Sequence, residues 1–432
     1  MRLKKNLLSL LLALMVPSAG TWGQNLMNLA QDLSTDFLDP YSIYFFARNL
    51  AEFDPATGEG KVEWGRYSLE PRQAFNTNTV VMDPLQMKDF PESGYEQSPQ
   101  YSFKIDFISD RTFRVRMLTS LVEPRYDESD EVMLSPEFLK QDPHTKWAYT
   151  DNGKEIVYTS PIGCSLTVSK NPWRLTLKDA SGKVLTQTRV LEDNEVTQVK
   201  TKPFGFVKSG KDNSRRLNPV FSLKAGERIY GCGESPMGLN KVGQKVPLFV
   251  TDPQGPETDQ MYKPVPFYFS NRGYGVFMHT SAPVTCDFGA SYVGEIKHFM
   301  ADEAFDFFFF VGTPAEILDA YTDVVGKTPM PPTWSFGTWM SRITYFSQED
   351  GYEIASKLRS NRIPADVIHF DTGWFGVDWQ CDYKFSSERF SDPEKMIKDL
   401  LDDGFHISLW QLPYFTQHNS LYPELIEKDL VV

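Results

Sequence analysis

The segment Thr328-Pro-Met-Pro-Pro-Thr333 separates two kinds of sequence, and that separation limits what the chain can fold into. Its prolines fix φ and remove backbone donors, so neither a helix nor a sheet ladder runs through it. Before it, apolar residues recur every second position. After it, short apolar runs alternate with amphipathic helical stretches. Two domains of different class therefore meet here.

The first region, from about residue 40 to 310, reads as antiparallel β-structure. Tyr101-Ser-Phe103-Lys-Ile105-Asp-Phe107 and Phe113-Arg-Val115-Arg-Met117 alternate apolar and polar, which puts one face in a core and one in water. Further strands are expected at 154–159, 164–169, 173–178 and 183–188. Asn271-Arg-Gly273 between Pro266–Ser270 and Tyr274–Met278 signals a hairpin. Many short strands with turn residues between them predict a sandwich. A helix then closes the region: Thr313 and Glu316 form a capping box, Pro314 suits its first turn and Gly326 its end.

Beyond the prolines the expected order is β-α-β-α-β. Trp334–Met340 reads as a strand, and Ser347 opens a helix to about Arg362. Ala365–Phe370 is a mostly apolar strand. Asp392 and Pro393 open a second helix that Gly404 closes, and Phe405–Trp410 is a third strand. A further helix begins near Tyr422. This order predicts a parallel sheet. Three strands do not close an eight-stranded barrel, so the second domain is expected to be incomplete.

Composition narrows the function. Aromatics make up 14% of the chain, with Phe 32 and Tyr 19, which suits strand packing first and a sugar-stacking surface second. The net charge is −13 and no basic run follows residue 5, which excludes nucleic-acid binding and leaves a neutral partner. Arg2, Lys4 and Lys5, the apolar run Leu7–Val16 and small residues to Gly23 read as a signal peptide over 1–23, with a secreted or periplasmic destination. No later stretch is long and apolar enough for a membrane span. Four widely spaced cysteines and six histidines show no metal-ligand spacing, so neither a metal nor a cofactor is indicated.

In parallel α/β barrels the strand C-termini carry the chemistry. Asp371 directly follows Val367-Ile-His-Phe370, and Trp410 ends the next strand. A carboxylate there calls for hydrogen-bond donors, which sugar hydroxyls supply, and an indole offers an apolar face. The residues alone leave Asp371 open between a ligand contact and a plain turn residue, and for Trp410 core packing is the plainer reading.

Several blocks occur together: Thr313-Pro-Ala-Glu-Ile317, Pro331-Pro-Thr-Trp-Ser-Phe-Gly337, His369-Phe-Asp-Thr-Gly-Trp374, and Cys381-Asp-Tyr383 with Phe390-Ser-Asp-Pro393. In order and spacing they resemble glycoside hydrolase family 31, the α-glucosidases, α-xylosidases and relatives. Tyr230-Gly-Cys-Gly-Glu234 and Pro266–Tyr274 resemble that family's N-terminal domain. The resemblance is clear over 225–432 and extends to 40–225 in pattern only. It implies a galactose-mutarotase-like β-sandwich over 24–327, followed by the start of a (β/α)8 TIM barrel over 328–432. It implies Asp371, Thr372, Trp374 and Trp410 as substrate contacts, joined by Asp252 on a sandwich loop. The substrate would be an oligo- or polysaccharide with α-linked xylose or glucose, cleaved with retention. Many family α-glucosidases carry D-I-D-Y where this chain has Asp371-Thr-Gly-Trp374. The missing second carboxylate favours α-xylosidase-like specificity over α-glucosidase, and Gly373 is expected to leave room for a larger sugar.

The family's nucleophile lies in a K-[ST]-D-[FW]-type block, which this sequence lacks. The Lys398-Asp399 and Lys428-Asp429 pairs fall in helical segments. The expectation is a chain that holds the sugar but lacks the nucleophile and the acid/base. The alternatives are a non-catalytic carbohydrate-binding or degenerate relative, and, more remotely, an unrelated α/β enzyme such as an aldolase. Reading the gene past codon 432 separates the first two: an open frame reaching a Lys-Thr-Asp-like block is expected, and an immediate stop codon would favour the degenerate relative.

Overall fold

The computed structural model describes residues 32–74, 77–84, 98–121, 133–140, 145, 147–190, 197–198, 202–251, 260–377 and 381–431. The expected signal peptide lies outside these residues. The described residues divide into two compact units between Lys327 and Thr328. Among them, no helix is long and apolar enough to cross a membrane.

The first unit is a β-sandwich. A sixteen-stranded sheet carries one layer and a five-stranded antiparallel sheet, Ala148–Asp151 through Val184–Gln187, carries the other. The alternating segments form strands Gln100–Phe107 and Thr112–Leu118, paired antiparallel with Phe103 opposite Met117. Their inward residues Phe103, Ile105, Phe113 and Val115 are buried. From the smaller sheet, Trp173 meets Phe103 edge-on at 5.6 Å, and Tyr158 lies 4.7 Å from Phe107. Such interlocked rings account for much of the aromatic content, which stabilises a core at roughly 25 cal/mol per Å² of apolar surface removed from water. The Asn271–Gly273 hairpin joins Pro264–Ser270 to Tyr274–Met278 as the turn residues predict.

The strand Ala304–Val311 breaks the simple alternation, because both of its faces are covered. Phe305, Phe307 and Phe309 enter the sandwich core, while Phe308 and Phe310 pack beneath the helix Pro314–Val325 with Ile317 and Ala320. That helix has the expected ends. Thr313 Oγ1 accepts from the Glu316 N–H, Glu316 Oε2 accepts from the Thr313 N–H at 2.8 Å, and Gly326 adopts φ 102°. Asp306 lies within the same strand, held by Arg114 and by His279 at 2.9 Å. Burial pushes its carboxyl up, but those partners outweigh it and hold the group below the usual range.

The second unit contains three parallel strands, Trp339–Ser341, Val367–Phe370 and His406–Leu409, in that order. The helices Gln348–Ser360 and Pro393–Asp402 connect them, and Ser347 and Asp392 cap those helices as expected. Ile354, Leu358, Met396 and Leu400 meet Ile368, Phe370 and Phe405 in one core. The first strand is shorter than the sequence suggests. Thr333–Phe336 is a 3-10 turn, closed by the Ser335 N–H and hydroxyl, which both donate to the Pro332 carbonyl at 3.0 and 2.8 Å. A carbonyl captured locally is lost to the ladder.

Lys202 is buried in the first unit, donating to the Phe37 carbonyl beside the rings of Phe37 and Tyr44. Burial, reinforced by the charge of Lys297, brings its amine down from 10.5 to about 7. Between these values the unfolded chain binds the extra proton, so this group's contribution to stability rises with pH. Below about pH 7 both states are charged and the cost of the buried ammonium is fully expressed. Lys202→Met is therefore expected to stabilise most at pH 6 and least at pH 10. Equal shifts of the urea midpoint at the two pH values would contradict this.

Candidate functional site

In the second parallel strand Val367, Ile368 and Phe370 are almost fully buried, and His369 is half-buried with its Nδ1 2.9 Å from the Ser408 hydroxyl. A charge cannot sit within such a strand without partners, so the first carboxylate emerges at its C-terminal end. Asp371 stands there, partly exposed, as the cap of the short 3-10 turn Thr372–Trp374. Its Oδ1 accepts from the Thr372 N–H at 2.7 Å. Its Oδ2 has no partner among the described residues and is available to a donor.

Ties from three neighbouring segments fix the turn after Asp371. The Gly373 N–H donates to Thr344 Oγ1 at 2.6 Å. Arg389 donates to the Gly373 carbonyl at 2.9 Å and to the Phe375 carbonyl at 2.6 Å. Trp374 Nε1 donates to the Trp410 carbonyl at 2.9 Å. Trp410 itself continues the parallel ladder, its N–H donating to the Phe370 carbonyl at 2.8 Å. Its indole is half-buried and meets Phe375 edge-on at 6.3 Å.

Of the expected contacts, the structure thus brings Asp371 and Trp410 together at adjacent strand ends. Thr372 and Trp374 are buried, at 6% and 4% exposure. Trp374 packs on Phe375 and Phe385 and braces the third strand, and Thr372 is enclosed beside it. Asp252 lies outside the described residues. The expectation that Gly373 leaves room is also corrected. A Cβ at Gly373 would stand 1.9 Å from Thr344 Oγ1 and 3.0 Å from the Tyr345 carbonyl, so the space is filled from the segment after the first strand.

Thr344 and Arg389 were missed from the sequence. Thr344 has no spacing signal. Arg389 is signalled only by its position before Phe390-Ser-Asp-Pro393, and its targets are carbonyls, which no side-chain pattern reveals. Of the two Lys-Asp pairs, Lys428-Asp429 lies in the turn after the helix Tyr422–Glu427 rather than within a helix, with Asp429 at φ 53°. Asp399 accepts from Tyr352 at 2.7 Å and from Lys395 at 2.5 Å on a helix surface. The four cysteines are buried free thiols, and no cluster of metal-ligating side chains occurs among the described residues.

Comparison with known proteins agrees with this geometry. Residues 102–287 match the glycosyl hydrolase 31 N-terminal galactose mutarotase-like domain, and residues 328–432 match the glycosyl hydrolases family 31 TIM-barrel domain. An α-xylosidase of Lactiplantibacillus pentosus is 34% identical over 241 residues, covering 55% of this chain and 31% of its own length. An α-xylosidase of Emericella nidulans is 31% identical over 203 residues, covering 46% of this chain and 26% of its own length. A family 31 dextranase from Flavobacterium johnsoniae, solved with isomaltotriose, superposes with a TM-score of 0.64 at 21% identity, over 89% of this chain and 41% of its own. That structural likeness concerns the fold. The matched part spans about a quarter to a third of the length of these curated relatives.

Gly373→Ala is expected to destabilise the second unit by about 1–3 kcal/mol through overpacking. Thr344→Ala in the same chain should recover part of that loss, leaving the double variant more stable than the sum of the single losses. Simple additivity in urea unfolding would show that Thr344 does not fill the space beside Gly373.

Proposed function

Because the chain belongs to glycoside hydrolase family 31, we propose that it serves retaining hydrolysis of α-linked glycosides with α-xylosidase-like specificity. Asp371 carries the reading. It is the first carboxylate beyond a buried parallel strand, with one oxygen satisfied by its own turn and the other open to a sugar hydroxyl. A hydroxyl donating to a carboxylate forms a charge-assisted bond, stronger than a neutral one. Trp410, at the next strand end, supplies an apolar face for the ring.

The preference for xylose is supported by the packing at Gly373. With Thr344 against the backbone, a second carboxylate cannot be added there without displacing the Thr344 hydroxyl. The site then lacks an acceptor suited to a hydroxymethyl group. The curated α-xylosidases among the relatives point the same way. An α-glucosidase is the second reading, favoured by the 28% identity to an α-glucosidase of Bacillus thermoamyloliquefaciens. The basic, apolar start of the sequence supports export.

Retaining cleavage needs two carboxyl groups about 5–5.5 Å apart, one attacking the anomeric carbon and one protonating the leaving oxygen. Within these residues we assign Asp371 to binding and no residue to either role. Asp399 is held in a surface pair, and Asp429 follows a helix end.

The 432-residue chain is expected to release no p-nitrophenol from aryl α-xyloside or α-glucoside. Turnover abolished by Asp371→Ala would overturn that assignment. Asp371→Asn should weaken binding of an α-xylosyl oligosaccharide about tenfold or more, as loss of one hydrogen bond to a charged group of roughly 1.5–3 kcal/mol implies. Unchanged affinity on calorimetric titration would remove Asp371 from the site.

A further inference from the structure

A cleft of about 520 Å³ lies on the sandwich unit, between the turn Pro55–Glu59, the strand end Lys104–Phe107 and the edge strand beginning after Trp147. That volume is in the range of small-molecule sites. Its walls are preformed. The Gly58 N–H donates to the Asp54 carbonyl at 2.8 Å, and the Gly58 carbonyl accepts from the Ile105 N–H at 2.9 Å. A Cβ on Gly58 would stand 2.2 Å from the Ile105 carbonyl, so the turn lies tight against the strand. Trp147 stacks on Phe107 at 4.8 Å and anchors its indole N–H on the Ser109 carbonyl at 3.0 Å. The Tyr158 hydroxyl donates to the Pro55 carbonyl at 3.0 Å, tying the turn to the smaller sheet.

Two features of the cleft are not accounted for by packing. Tyr149 is 44% exposed on the edge strand Ala148–Asp151, with its ring 5.9 Å from that of the buried Tyr158. It is an aromatic side chain with much of its surface open to solvent. Beside it runs a row of alternating charges. Lys104 Nζ lies 2.7 Å from Glu59 and 3.6 Å from Asp106, and Asp106 lies 2.5 Å from Arg116. The row sums to zero. A charged ligand would have to break one of these pairs, whereas a ligand with many hydroxyls can donate to the carboxylates and accept from the ammonium without disturbing them. The overall charge of −13 adds a penalty for anions.

We propose that this cleft is a carbohydrate-binding site, in which a sugar ring of a neutral oligosaccharide stacks on Tyr149 while its hydroxyls bridge Glu59, Lys104 and Asp106. The class of ligand rests in part on the α-glycoside reading, and the cleft itself on the contacts above. Its residues lie wholly within the first unit. Glycan captured there would keep the chain on a polymeric or branched substrate by raising its local concentration.

The test is hydrogen-exchange mass spectrometry and calorimetric titration of the protein with isomaltotriose and with an α-xylosyl-bearing heptasaccharide. Protection is expected in peptides covering 54–60 and 147–159. Tyr149→Ala should reduce that protection and weaken this component of binding about tenfold, consistent with loss of one aromatic contact of roughly 1.5 kcal/mol. Tyr149→Phe, which keeps the ring, should retain it, and Asp371→Asn should leave it unchanged. Protection confined to the peptide around Asp371, with Tyr149→Ala without effect, would overturn the cleft and leave the α-glycoside reading standing. Protection at the cleft that survives Asp371→Asn, with none around residue 371, would support the cleft and count against that reading. No protection at the cleft with either saccharide overturns the proposal.

Discussion

Ile368 and Phe370 pack among the apolar faces of two helices and the flanking strands, Val367 is buried as well, and almost none of the surface of the three meets water. An ionised carboxylate within that strand would lose its hydration with nothing to replace it. The first position where a charge can stand is the strand end, where the turn supplies an N–H and solvent begins. Asp371 is at that position. The same rule places Trp410 one strand over, because the parallel register sets Phe370 opposite Leu409 and brings the two strand ends level. The pairing of a carboxylate with an indole thus follows from how a buried parallel sheet ends.

The sandwich obeys the converse rule. Where one face of a strand meets water, the sequence alternates, as in Gln100–Phe107; where both faces are covered, it does not. Ala304–Val311 is nearly continuous phenylalanine because two cores claim it, one between the sheets and one beneath the helix Pro314–Val325. Its one charge, Asp306, is tolerated because Arg114 and His279 satisfy it. The sandwich needs these partners because desolvation of an unpaired carboxylate would exceed any single packing gain in the strand.

Much of this was legible in the sequence. Alternation gave the strands Gln100–Phe107 and Thr112–Leu118 to within a residue or two, because one wet face imposes a period of two. The helix ends were legible because caps are local: Thr313 with Glu316, Ser347 and Asp392 each satisfy backbone donors within a few residues. The first parallel strand was overread, since the Pro332 carbonyl takes both donors of Ser335, and that capture has no hydrophobic signature. At the site, Asp371 was legible from the end of an apolar run. Thr344 and Arg389 were not, because what they bind is backbone brought close only by the fold.

Those two residues also change the meaning of the turn that follows Asp371. In His369-Phe-Asp-Thr-Gly-Trp374, the residues after Asp371 position it. Gly373 admits Thr344 against the chain, Arg389 spans the carbonyls of Gly373 and Phe375, and Trp374 ties the turn to the third strand. These ties come from three separate segments, so the turn is fixed only when all three strands and the loop before the second helix are in place. A carboxylate held in this way loses little conformational entropy when a ligand arrives, which suits the proposed role of Asp371. The glycine is therefore a packing requirement: its hydrogen lets Thr344 stand against the chain, and so it acts on Asp371 through the turn it holds in place.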